Sequence, residues 1–81
     1  MNEAEIHVVM MRRLTPLVKR HKLKGSYSQR PGDVPCFVPE GRPFEIVADP
    51  KKNRFDLWEL GGLAPIKLGT TEAELVRKLK T

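Results

Sequence analysis

The spacing of hydrophobic residues changes twice along the 81-residue chain, and each change marks a boundary between predicted elements. From Ile6 to Val18 the spacing is helical. At 100° per residue, Ile6, Val9, Met10, Leu14, Leu17 and Val18 share one broad face, with His7 and His21 on the same side. Asn2 precedes Glu5 in the arrangement of a capping box, which sets the predicted start of this helix. Pro16 lacks an amide hydrogen, so the helix is expected to kink or divide there, Thr15-Pro16 serving as N-cap and first residue of a second short helix. The run IHVVMM also admits a strand over 6–11, because it is rich in β-branched residues. The helical period favours the helix.

Residues 24–36, KGSYSQRPGDVPC, show no period and carry two prolines, two glycines and two serines, so a loop is expected. Beyond it the period becomes two. CFV reads as a short strand closed by the turn Pro39-Glu40-Gly41, and PFEIVAD and RFDLWEL as strands joined by Pro50-Lys51-Lys52-Asn53. Pairing Asp49 with Arg54 across that loop gathers Phe44, Ile46, Ala48, Phe55 and Leu57 on one face. Glu45, Val47, Asp56 and Trp58 fall on the other. Gly61-Gly62 turns the chain again, and PIKL offers a fourth strand.

The last segment, GTTEAELVRKLKT, has the clearest local signal. Thr71 and Glu74 form a capping box, Leu75, Val76 and Leu79 an apolar stripe, and acids precede bases as the helix dipole prefers. The expected architecture is α+β: an N-terminal helix, a three- to four-stranded antiparallel meander, and a C-terminal helix packed on the sheet. One small domain spans 1–81, with a basic helix and loop over 1–34, the meander over 35–68 and the closing helix over 71–80.

Composition narrows the function classes. A chain this short buries only about 60–65% of its unfolded surface. The single cysteine, Cys36, rules out an internal disulfide, and a buried structural thiol is expected there. A secreted scaffold of this size normally needs such staples, so the expected home is the reducing cytoplasm. The N-terminal order of acid, apolar and base is not that of a signal peptide, and no run approaches the ~20 apolar residues of a membrane span. No membrane partner and no cofactor are expected.

The net charge of +5 is unevenly placed. Residues 33–81 hold eight bases and eight acids, whereas 6–32 hold Arg12, Arg13, Lys19, Arg20, Lys22, Lys24 and Arg30 and no acid at all. On a continuous helix Arg12 and Lys19, like Arg13 and Arg20, share an azimuth about 10 Å apart. They flank an apolar face at a spacing expected to meet successive phosphates, and Tyr27 offers a ring on which a base can stack. The same residues would also form an ordinary solvated helix face. The expectation is a non-catalytic module that binds DNA or RNA through Arg12, Arg13, Lys19, Arg20, Lys22, Lys24, Tyr27 and Arg30, mainly by backbone electrostatics. The alternative is a protein-interaction or inhibitor module that docks on an acidic partner or uses Trp58 and the sheet edge. A metal-independent ribonuclease built on His21 is the third reading. His7 and His21 lie about 21 Å apart on a straight helix and cannot share a metal there, and no metal site is expected. GGLAPIKLG lacks the Lys-Ser/Thr ending and glycine spacing of a phosphate loop.

Two partial likenesses follow from these residues. The order helix, three strands, helix is similar to that of double-stranded-RNA-binding domains, although Thr-Glu-Ala-Glu stands where that family carries a basic helix start. RFDLWELGGLAPIKLGTTEAELVRKL resembles the last strands and helix of the arm-type DNA-binding domains of phage integrases, where a strand ending Leu-Gly-Thr precedes a Glu-rich helix start. Both imply nucleic-acid binding, and neither implies particular site residues.

Overall fold

The computed structural model describes residues 2–62 and 64–80, leaving 1, 63 and 81 outside the description. Helix α1 (Glu3–Arg20) is followed by strands β1 (Gly25–Arg30), β2 (Val34–Pro39), β3 (Phe44–Ala48), β4 (Phe55–Glu59) and β5 (Pro65–Thr70), and by helix α2 (Glu72–Leu79). The fold is therefore α+β, with an antiparallel sheet of five strands in chain order. That is one or two strands more than the three- to four-stranded meander expected, and two more than the double-stranded-RNA-binding order.

Helix α1 starts where its cap dictates, Asn2 Oδ1 accepting from the Glu5 amide at 2.9 Å. It runs through Pro16 without dividing, contrary to the expectation of a second N-cap at Thr15. Pro16 and Arg12 both lie on the outward side, opposite buried Leu14 and Leu17. The Arg12 carbonyl that Pro16 leaves without a donor can thus turn to water, which removes much of the cost of an internal proline. The helix closes in a Schellman motif: the Leu23 amide donates to Val18 O at 3.0 Å and the Lys22 amide to Lys19 O at 3.3 Å. Lys22 takes the left-handed position (φ 50°) that glycine usually fills.

The β3–β4 hairpin has the register expected from the pattern. Ile46 faces Leu57, Ala48 faces Phe55, and the Asp49 amide donates to Arg54 O at 3.0 Å. Asp49 Oδ1 accepts from Lys51 and Lys52 amides and so shapes the connecting loop. Phe44, Ile46, Ala48, Phe55 and Leu57 are all buried, and Met10, Leu14 and Leu17 of α1 and Leu75 of α2 join them in one core cluster. Each of these side chains except Ala48 contributes about 1.5–3 kcal/mol on burial. Thr71 caps α2 through its hydroxyl, which accepts from the Glu74 amide at 3.1 Å.

Strand β1 occupies the segment expected to be a loop. It pairs along its whole length with β2, Tyr27 opposite Phe37 and Arg30 opposite Val34. As an edge strand it is exposed at nearly every position, so no apolar alternation is needed to form it. Gly25 is required at its start, because a Cβ there would meet Val38 O at 2.1 Å. The turn into β2 uses Pro31 and Gly32, the latter at φ 84°.

Strand alternation divides the sheet into two faces. Phe37, Ile46 and Leu57 look toward the helices, while Arg30, Cys36, Glu45, Val47 and Trp58 look the other way. No described helix is long and apolar enough to cross a membrane.

Candidate nucleic-acid interface

The basic run of residues 12–30 does not act as one surface. Arg30 is directed inward on the second face of the sheet. Its Nη1 donates to Glu45 Oε2, its Nη2 donates to Gly62 O at 2.9 Å, and its guanidinium lies 4.6 Å from the Trp58 ring centre. The other Glu45 oxygen accepts from the Gly61 amide at 3.2 Å. Both charged side chains are only about a tenth exposed, so the pair ties β1 to β3, β4 and the β4–β5 turn. Trp58, expected on the face with Glu45 and Asp56, is there and half-buried, one side of its ring covered by Arg30. Cys36 is fully buried on the same face, and burial, with the Glu45 carboxylate second, pushes its thiol above the ordinary value.

Two further arginines are engaged elsewhere. Arg20 Nη1 donates to both oxygens of Glu72, at 2.6 and 2.7 Å, joining the end of α1 to the start of α2. His21 Nε2 shares that carboxylate at 2.9 Å. The His21 contact first and the Arg20 contact second hold the Glu72 carboxyl below its ordinary value. Arg13 Nη1 donates to Lys52 O at 2.7 Å in the β3–β4 loop. Arg12 and Lys19 remain exposed on the outward side of α1, on a common azimuth. Tyr27 stands 45% exposed on the edge strand, its ring edge-on to Phe37 with centroids 5.2 Å apart. It lines a hollow with His7 and Met11, apart from the cations that follow.

Those cations meet at the opposite end of α1, around a groove of about 320 Å³. The link after α1 supplies His21, Lys22, Leu23 and Lys24; the β2–β3 turn supplies Pro39, Glu40 and Arg42; the end of α2 supplies Val76, Leu79 and Lys80. Leu23, Pro39, Val76 and Leu79 give it an apolar floor, while Lys22, Lys24, Arg42 and Lys80 carry its positive charge. Arg42 is fixed by donating from Nη2 to Leu79 O at 2.8 Å. Among the described residues no carboxylate lies within ion-pair distance of Lys22, Lys24 or Lys80. Glu40 is the only acidic side chain among the described residues of the lining.

Sequence reading reaches half of this site. It names Lys22 and Lys24 but misses Arg42 and Lys80, because they belong to a segment whose charges balance when counted. The order of charges within α2 holds the missing signal. Glu72 and Glu74 occupy its first turn and are taken up by Arg20 and Lys67, so the basic end is left separate. The described residues contain no cluster of three or more His, Cys, Asp or Glu fit to hold a metal ion. Among known proteins, no family model, no curated protein and no solved structure matches the chain at a significant level.

Proposed function

We propose that the protein is a small non-catalytic module that docks on nucleic acid through the groove formed by Lys22, Lys24, Arg42 and Lys80, with Arg12 and Lys19 extending the positive surface along α1. One observation carries this reading: cations from three separated segments converge on one concavity, and three of them have no carboxylate partner among the described residues. Such a surface binds phosphates by charge and counterion release, with little sequence information. Lys22 adds weight. A lysine held in the left-handed region costs about 1–2 kcal/mol relative to an unstrained residue, and such strain is typically retained where a side chain has work to do.

The test is a titration of single-stranded and duplex probes at several salt concentrations. Three phosphate contacts, from Lys22, Lys24 and Lys80, give a slope of log K against log salt of about −2.7 on duplex DNA and about −2.1 on a single strand. Replacing Lys22, Lys24 and Lys80 together with alanine should reduce the slope's magnitude by about 2–3. No binding at low salt, or an unchanged slope in the triple variant, would refute the proposal.

A second reading has its own observation. Ile66 and Leu68, 46% and 58% exposed on the edge strand β5, and Leu60 at 53% in the turn before it, give an apolar edge suited to a protein partner. Replacing Ile66 and Leu68 with lysine would abolish such docking and leave the nucleic-acid titration unchanged.

A further inference from the structure

The groove does more than gather charge, and its shape bears on which nucleic acid fits it. We infer that it takes an unstacked nucleotide of a single strand, with Glu40 accepting hydrogen bonds from guanine. This deepens the nucleic-acid reading and rests on it.

A duplex presents a convex rail of phosphates with its base faces stacked away, so it can touch the rim of a concavity but cannot fill it. The volume of about 320 Å³ lies within the roughly 300–1,000 Å³ of small-ligand sites. Its apolar floor of Leu23, Val76 and Leu79 suits the face of a base, and the cations above suit the attached phosphate. A second hollow, of about 560 Å³, adjoins the first and shares Pro39, Glu40 and Arg42 with it. Ser26, Val38 and the exposed Leu60 line its far side. Two hollows that share one turn make a track for neighbouring nucleotides of a strand, with Arg42 common to both.

Glu40 supplies the selectivity. A carboxylate beside four cations weakens a pure phosphate site, and the Glu40 side chain makes no ion pair or hydrogen bond among the described residues. Its two oxygens are acceptors in search of paired donors. Guanine is the one common base with two adjacent N–H donors, N1–H and the 2-amino group, on its Watson–Crick edge. Adenine and cytosine set an acceptor beside their amino group, and uracil sets its single N–H between two carbonyls. That edge is accessible only when the base is unpaired, which joins the base preference to the strand preference.

The experiment measures binding of labelled RNAs of about 12 nucleotides at low salt: a uridine strand with one central guanine, an all-uridine strand, and a duplex of equal length. The guanine strand should bind about tenfold tighter than either of the others, the discrimination of one bidentate contact. Glu40→Gln, at an exposed turn position, should erase the guanine preference while leaving binding of the uridine strand equal or tighter. Duplex binding as tight as the guanine strand, or an unchanged base preference in Glu40→Gln, overturns the inference while leaving the nucleic-acid reading intact. Absence of binding to all three probes overturns both.

Discussion

Arg30 and Lys22 lie eight residues apart in the same acid-free run, yet they end in opposite situations. Arg30 is enclosed on the second face of the sheet, with a carboxylate, a carbonyl and an aromatic ring as partners. Lys22 is exposed at the rim of a groove, in a backbone conformation unfavourable to it, with no carboxylate within reach among the described residues. One cation holds strands together, and the other faces solvent. A count of charges cannot separate them. Strand alternation and the helix terminus do, by sending Arg30 toward Glu45 and turning Lys22 out beside Lys24 and Lys80.

The comparison breaks most visibly through Arg30. Arg30→Ala should cost about 3–5 kcal/mol in urea unfolding, because it leaves the Glu45 carboxylate buried without its partner. The double variant Arg30→Met with Glu45→Leu should recover much of that loss, and a double variant as unstable as the single one would show that the pair itself is not what matters. The rim should behave in the opposite way. Lys22→Ala, Lys24→Ala and Lys80→Ala, singly, should each leave stability within about 0.5 kcal/mol while weakening every nucleic-acid probe alike. Stability losses comparable to that of Arg30→Ala would place these lysines in the scaffold.

Lys22→Gly sharpens the contrast at a single position. It relieves the left-handed backbone and should raise stability by roughly 1 kcal/mol, while lowering affinity and the salt slope. A variant that gained stability and kept full affinity would remove Lys22 from the interface. The smallest effect belongs to Glu72. Its folded-state pKa is depressed, so its contribution is present above the ordinary value of 4.5 and is lost as pH falls below that value through the folded pKa. Glu72→Gln should therefore lower stability slightly at neutral pH and flatten the acid limb, the variant and the parent converging below the folded pKa. An acid limb identical to that of the parent would mean that Arg20 and His21 contribute nothing through this carboxylate.

Much of the fold was legible wherever burial imposes a period. Phe44, Ile46, Ala48, Phe55 and Leu57 alternate because one face of that hairpin is covered, and the register followed from them. The cap at Asn2 and the box of Thr71 and Glu74 marked helix starts because unsatisfied amides need side-chain acceptors. Strand β1 was not legible. Gly-Ser-Tyr-Ser-Gln-Arg is exposed along most of its length, so nothing selects for alternation; the strand is held by backbone bonds to β2 and by the tertiary contacts of Tyr27 and Arg30, none of which leaves a local pattern. Pro16 misled for a related reason, since its penalty depends on which way the freed carbonyl points. The candidate groove was half legible: Lys22 and Lys24 are neighbours in sequence, whereas Arg42 and Lys80 reach it only by tertiary folding.

The enclosed Cys36 has a practical consequence. It is the chain's one thiol, it is fully shielded, and burial keeps it protonated, so a thiol-selective reagent has nothing to attack until the sheet parts. Its labelling rate is thus a built-in clock for momentary opening of the molecule, and it can be read without adding a probe to the sequence.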